Sequence, residues 1–192
     1  MSVGIGQGYW LATPMQLAHA ATIMANRGQR VKPHVLRSIR VAANKDASLI
    51  QPEYLPPVDA DPRYWNVALA GMEGVMLPGG TARGAGAGAA YRIAGKTGTA
   101  QVFGLSGGAY NAGRLAKRLR DHALFVGFAP VDDPKIAVGL IVENASGSGG
   151  HTAAPIARKL MDAYLLKQYL GDETVQPAMD SSVTNEHEDP HD

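Results

Sequence analysis

The chain has no cysteine in its 192 residues, and this absence excludes several kinds of site at once. Without thiols there is no disulfide framework, no thiolate nucleophile and no cysteine-ligated metal. No stretch reaches the roughly 18 uninterrupted apolar residues of a membrane-spanning helix, and the N-terminus lacks the basic and apolar regions of a signal peptide. We therefore expect a chain with no anchor or signal of its own. We also predict no metal site and no cofactor.

Net charge is also low, at +1, but it is unevenly distributed. Residues 172–192 hold seven of the 17 acidic residues and no lysine or arginine, which leaves the rest of the chain basic. An acidic, polar tail of this kind is typical of disorder, so we place the folded domain at residues 1–171. The basic residues of that domain are scattered and do not alternate with aromatic residues, which argues against nucleic-acid binding.

The pattern of the first 171 residues predicts an α/β (α+β) domain, with helices packed on three antiparallel strands. Thr13 before Pro14, with Gln16 three residues after Thr13, is typical of a capped helix start, and Asp61 before Pro62 predicts a second one. We expect the second helix to bury one side, made of Val67, Ala68, Met72, Val75 and Met76.

Alternating and apolar runs predict the strands. An imperfect extended stretch covers residues 30–41, and three strands are expected at 91–102, 122–129 and 136–143. A last helix is predicted from residue 152 to residue 170. Its helical spacing indicates a buried stripe of five residues: Ile156, Leu160, Ala163, Tyr164 and Leu170.

The most informative stretch is residues 94–101, where small residues surround one lysine and two threonines. Its two glycines leave room for a ligand to lie against the strand backbone. Lys96 and the hydroxyls of Thr97 and Thr99 can hold a carboxylate by charge-assisted hydrogen bonds, and a strand edge offers N–H groups to a developing oxyanion.

Two nucleotide-binding interpretations also have to be weighed. Gly95-Lys96-Thr97 could end a phosphate-binding loop, but that loop needs a glycine at position 90, which is alanine, and it must open a helix. Residues 143–154 read as a strand end, a glycine-rich loop and a helix start, a shape suited to anion binding, yet the glycines do not fall as G-x-G-x-x-G. Nucleotide binding therefore ranks below the interpretation of residues 94–101 as a strand that binds a carboxylate and stabilises an oxyanion.

Short motifs along most of the chain point to one family when they are taken in order. The chain resembles the C-terminal part of the transpeptidase domain of class B penicillin-binding proteins of the elongation type, which share the fold of the serine β-lactamases. The segments that carry the resemblance are residues 6–8, 13–18, 25–28, 80–82, 94–101, 122–130, 142–144 and 153–157.

The resemblance implies a substrate and a chemistry. It implies acyl transfer through a serine ester in peptidoglycan cross-linking, with a D-alanyl stem peptide or a β-lactam as the bound molecule. It makes Lys96 and Thr99 catalytic, with the backbone N–H of Thr99 forming half of an oxyanion hole. The substrate-binding residues that it implies are Lys96, Thr97, Gly98, Thr99 and Gln101.

The resemblance also implies a cellular setting. Members of the family have an inner-membrane anchor and a periplasmic catalytic domain, and they assemble with membrane proteins of the elongation complex.

The family's nucleophile is missing from this sequence. Family members place it in a Ser-x-x-Lys motif that is followed by Ser-x-Asn, and none of the eight serines has lysine three residues later or asparagine two residues later. We therefore expect a fragment that recognises substrate without chemistry and whose partner is the missing N-terminal half. The alternative is a non-catalytic binding module that uses the same strand edge.

Overall fold

The computed structural model describes residues 11–42, 45–102 and 116–167. The helices are α1 Pro14–Ala25, α2 Pro62–Gly74, α3 Arg83–Gly86 and α4 Ala153–Leu166. The strands are β1 Arg30–Val31, β2 Ser38–Ile39, β3 Ser48–Leu49, β4 Tyr54–Leu55, β5 Ala94–Ala100, β6 His122–Ala129 and β7 Ile136–Val142. The acidic tail, the motif at residues 6–8 and the predicted end of the last helix at Leu170 lie outside the described residues.

Helix α1 begins where its capping residues predict. Thr13 Oγ1 accepts from the backbone N–H of Gln16 at 3.2 Å, and Gln16 Oε1 accepts from the backbone N–H of Thr13 at 2.8 Å. With Pro14 in the first turn, this reciprocal pair satisfies two backbone donors that the helix itself leaves without partners. Asp61 caps α2 by accepting from the N–H of Arg63.

Replacing Thr13 by alanine should lower the free energy of unfolding by about 1 kcal/mol, because the N–H of Gln16 loses its acceptor. Urea unfolding followed by circular dichroism measures this change. Thr13→Ser keeps the hydroxyl and should unfold at nearly the wild-type urea concentration. Equal midpoints for the alanine and serine variants would show that the cap contributes nothing.

The main sheet has three antiparallel strands in the order β5-β6-β7, as the sequence predicts. β6 has the predicted bounds, β7 ends one residue earlier than predicted, and β5 begins at Ala94, three residues later than predicted. In the register, Thr97 lies opposite Phe125, and Phe125 lies opposite Leu140. β6 is therefore the central strand and β5 lies at one edge.

Helices cover both faces of this sheet. Phe125 and Phe128 are both 1% exposed and lie three residues apart on β6, so their side chains lie on opposite faces. Phe125 packs in the cluster that contains Met161 and the alanines of α4. Phe128 packs with Leu69 of α2 and with the end of α1. The site on β5 is thus carried by a sheet that is held between two helical layers.

The stripe predicted for α4 is wrong. Ile156 and Leu160 are each 40% exposed, and Tyr164 is 54% exposed. The face that meets the sheet is instead made of small residues and one methionine, all fully buried: Ala153, Ala154, Ala157 and Met161. Small side chains let the helix backbone approach the sheet closely, and this favours a face that a count of large apolar residues overlooks.

Two further predictions need correction. Val67 of α2 is 73% exposed, whereas Leu69, which lies on another side of the helix, is buried. The stretch predicted to be extended, residues 30–41, forms only the two-residue strands β1 and β2. β1 pairs with β4 and β2 pairs with β3, so residues 30–55 make two small antiparallel ladders apart from the main sheet.

None of the helices in the described part of the chain combines the length and the apolar character needed to cross a bilayer.

Candidate functional site

Four of the five residues predicted to bind substrate lie on edge strand β5, and Gln101 follows it directly. Among the described strands, β5 pairs with β6 alone, so its other edge carries backbone N–H and C=O groups that no described strand uses. Lys96, Thr99 and Gln101 are exposed, and Thr97 is half-buried. The structure therefore brings the predicted residues together on one accessible edge.

The side chains of this edge alternate between the two faces of the sheet. Thr97 and Thr99 lie opposite Phe125 and Ala123, whose side chains belong to the cluster on the α4 face. Since successive residues of a strand point to opposite faces, Lys96 lies on the other face. A ligand along the edge can therefore meet hydroxyls from one side and the cation from the other.

Lys96 is available to an anion. Its Nζ donates to the carbonyl oxygen of its neighbour Thr97 at 2.7 Å, and it forms no ion pair with the described residues. An exposed ammonium group held by one carbonyl has two N–H donors left over, and a carboxylate can accept both.

The hydroxyl of Thr97 has a partner that sequence reasoning missed. Thr81 Oγ1 lies 3.1 Å from Thr97 Oγ1, although the two residues are 16 positions apart. Thr81 lies in the turn between α2 and α3. Its Gly-Thr-Ala segment was one of the motifs that carried the family resemblance, but nothing in the sequence assigned it to the site.

The loop before α4 also reaches β5. A Cβ added to Gly149 would strike the carbonyl oxygen of Leu124 and would lie 2.7 Å from the carbonyl oxygen of Gly98. A Cβ on Gly150 would strike the carbonyl oxygen of Thr81. Only glycine permits this approach, so three separate segments meet backbone to backbone behind the site.

The glycines of β5 make room for protein as well as for a ligand. A Cβ added to Gly95 would collide with the ring of Phe125, and one added to Gly98 would lie 3.2 Å from Leu124 Cβ. The space beside Gly95, which the sequence suggested for a ligand, is therefore filled by the sheet's own core. The part of β5 that remains accessible to a ligand is the edge that no described strand covers.

A neighbouring cavity of about 270 Å³ lies beside the start of β5 and is lined by Glu73, Met76 and Tyr91 among others, but by none of the predicted site residues. At its rim Arg92 donates to both carboxylate oxygens of Glu73, at 2.5 and 2.6 Å. These hydrogen bonds hold the pKa of Glu73 below its usual value.

The phosphate-loop alternative fails on the structure as well. Gly95-Lys96-Thr97 lies inside a strand, whereas such a loop has to open a helix and direct its N–H groups at phosphates. In the described part of the chain, no group of three or more histidine, aspartate or glutamate side chains is placed to hold a metal ion.

Comparison with known proteins decides the family. Residues 1–162 match the penicillin-binding protein transpeptidase domain. The chain belongs to the transpeptidase family of penicillin-binding proteins. Peptidoglycan D,D-transpeptidase MrdA of Haemophilus influenzae is 48% identical over 169 residues. That match covers 86% of this chain and 25% of the relative, so the chain spans about a quarter of the length of the curated transpeptidase that it matches.

Solved structures of the family share the fold. Pseudomonas aeruginosa PBP2 in complex with WCK 5153 gives a TM-score of 0.63 at 43% identity, over 85% of this chain and 32% of that one. The ceftriaxone acyl-enzyme of Mycobacterium tuberculosis penicillin-binding protein A gives 0.68 at 28% identity, over 85% of this chain and 35% of that one. The Helicobacter pylori complex of PBP2 with MreC gives a TM-score of 0.59 at 26% identity, over 85% of this chain and 27% of that one. The predicted partial transpeptidase fold is confirmed.

Proposed function

We propose that this chain forms the carboxylate-binding side of a peptidoglycan D,D-transpeptidase site. Lys96, Thr97, Gly98, Thr99 and Gln101 would line it, and the bound group would be the terminal carboxylate of a D-alanyl stem peptide or the corresponding carboxylate of a β-lactam. One observation carries the proposal. A family member presents two threonine hydroxyls, and a lysine that forms no ion pair with the described residues, on a sheet edge that no described strand covers.

The chemistry of that edge suits such a ligand. An extended peptide can pair with an unpaired strand edge through main-chain hydrogen bonds, while side chains of the strand bind the terminal carboxylate of the peptide. A carboxylate that accepts from Lys96 Nζ and from a hydroxyl gains charge-assisted bonds, which are roughly twice as strong as neutral ones. Lys96 and Thr99 would act on the reacting group, with the N–H of Thr99 as an oxyanion donor.

Lys96→Ala should weaken binding of N-acetyl-D-alanyl-D-alanine by at least about tenfold, because the carboxylate loses its only cationic partner on β5. Titration of the isotopically labelled chain, followed by the backbone amide signals of residues 94–101, measures the dissociation constant. Lys135→Ala is the matched control, since Lys135 is an exposed lysine in the β6–β7 turn. Equal affinities for the two variants would overturn the proposed role of Lys96.

The second candidate function is a binding module without catalysis that uses the same strand edge, since Lys96 and the threonine hydroxyls of β5 can hold a carboxylate without a nucleophile. A fluorescent penicillin separates the two functions. In the transpeptidase interpretation, adding the N-terminal part of the domain from the H. influenzae relative should produce a denaturation-resistant serine adduct on that part. A binding module would bind the probe reversibly under every condition.

In the whole protein we place residues 1–171 within the transpeptidase domain, followed by the acidic segment 172–192. The complex of a relative, Helicobacter pylori PBP2, with MreC supports proteins of the elongation complex as its partners. Family membership supports an inner-membrane protein whose catalytic domain lies in the periplasm.

A further inference from the structure

We propose that Thr81 is a positioning residue, which directs the hydroxyl proton of Thr97 at the carboxylate of the bound ligand. This inference rests on the proposed function and deepens it. It accounts for a contact that the family motif on β5 does not explain, the 3.1 Å approach of Thr81 Oγ1 to Thr97 Oγ1.

The turn that carries Thr81 is held firmly. The carbonyl oxygen of Thr81 fits against Gly150, where there is no room for a Cβ. The next residue, Ala82, is 1% exposed, and its N–H donates to the carbonyl oxygen of Val75 at 2.9 Å. A hydroxyl on so closely packed a backbone is preorganised, so it can fix the orientation of its partner at little entropic cost.

Counting protons gives the hydrogen bonds their direction. Each threonine hydroxyl has one proton and two lone pairs, and a carboxylate can only accept. When Thr97 donates to the ligand, it has no proton left for Thr81, so the proton between the two hydroxyls has to come from Thr81. The result is a chain from Thr81 to Thr97 to the carboxylate, and such chains strengthen their members by polarisation.

This arrangement favours a carboxylate over a neutral amide. A terminal primary amide can donate to Thr97 as well as accept from it, so the direction of the Thr81–Thr97 bond matters less to its binding. Thr81 should therefore contribute to the affinity for the acid and contribute much less to the affinity for the amide. A purely structural threonine would affect both ligands alike.

The test measures binding of N-acetyl-D-alanyl-D-alanine and of its C-terminal amide to the chain and to variants at position 81. Thr81→Val should weaken binding of the acid about five- to tenfold, the effect of one hydrogen bond, and should change amide binding less than twofold. Thr81→Ser retains the hydroxyl and should restore acid binding. In a double-mutant cycle, Thr81→Val should have little further effect once Thr97 is valine.

Thr22→Val is the matched control, because the hydroxyl of Thr22 donates to the carbonyl oxygen of Ala18 within α1, away from β5. Thermal unfolding of each variant verifies that the fold is retained. Equal losses for acid and amide, or no loss at all in a chain whose binding still depends on Lys96, would overturn the role of Thr81 and leave the proposed function standing. Failure of the wild-type chain to bind the acid would overturn both.

Discussion

Asp162→Ala should lower the free energy of unfolding by about 2–4 kcal/mol, because two partly buried groups lose the same acceptor. Arg158 Nε donates to both oxygens of the Asp162 carboxylate, at 2.8 and 2.9 Å, and Tyr91 OH donates to Oδ1 at 2.6 Å. The side chains of Arg158 and Asp162 are only 16% and 18% exposed. After the substitution, the guanidinium charge and the phenol would stay in a poorly hydrated place without a carboxylate.

The loss of stability caused by Asp162→Ala should also involve contacts outside the Arg158–Asp162 ion pair. Arg158 also donates to the backbone carbonyls of Ala85, Ala87 and Gly88, at 3.1 to 3.4 Å, and thereby ties the glycine-rich segment after α2 to α4. Burial and the hydrogen bond to Asp162 hold the pKa of Tyr91 above its usual value, so the phenol remains a donor into the alkaline range, where an exposed tyrosine would ionise.

Chemical denaturation of the wild type and of two aspartate variants tests this prediction. Asp133→Ala is the matched control, since Asp133 pairs with Lys135 at 2.7 Å with both side chains more than half exposed. Exposed pairs contribute little, so its change should stay within about 0.5 kcal/mol. If the free energy of unfolding falls equally in the two variants, Asp162 with its partners Arg158 and Tyr91 stabilises the fold no more than a surface ion pair does.

Gly149→Ala should cost about 1–3 kcal/mol of stability and weaken ligand binding as well. The added methyl group would meet the carbonyl oxygen of Leu124, and it would lie 2.7 and 3.0 Å from the carbonyl oxygen and the nitrogen of Gly98. These are backbone atoms of two paired strands, so no flexible side chain can move aside. Either the loop withdraws or β5 shifts, and a shift of β5 moves the edge that we propose binds the ligand.

Gly84→Ala is the control for this substitution. Gly84 lies in α3, and nothing lies within 4 Å of the position that its Cβ would occupy. Alanine there should be neutral or slightly stabilising, since it restricts the unfolded chain. Urea midpoints of the two variants, together with their affinities for N-acetyl-D-alanyl-D-alanine, measure both effects. If the Gly149 variant is as stable as the Gly84 variant and binds as tightly, the close approach of Gly149 to Leu124 and Gly98 is not needed.

Short sequence patterns were sufficient to predict a helix or strand wherever the segment determines its own structure. The capping residues around Pro14 located the start of α1, and the apolar run at residues 122–129 gave the bounds of β6. Local signals were not sufficient where the buried face of an element depends on the element that packs against it. On α4, Ile156 and Leu160 satisfy helical spacing as well as the alanines do, and only the close approach of the sheet selects the smaller face.

The residues of the candidate site likewise fall into those that the sequence predicts and those that only the fold brings together. The lysine and threonines of β5 could be found from the sequence because they lie within one short strand and repeat a family pattern. Thr81 and Gly149 could not, since their relation to that strand depends on how the turn after α2 and the loop before α4 fold back over the sheet. Their sequence signals, one threonine between small residues and one glycine among several, are common in loops.

The order of the strands along the chain has a consequence for how the site assembles. Six residues join β6 to β7, whereas 21 residues separate β5 from β6. Closing the longer connection costs about 1 kcal/mol more in chain entropy. On chain entropy alone, we therefore expect the β6–β7 hairpin to form before β5 pairs with it. The strand that carries Lys96 and Thr97 would then join a hairpin that has already formed, so the site would be completed by the longer of the two connections.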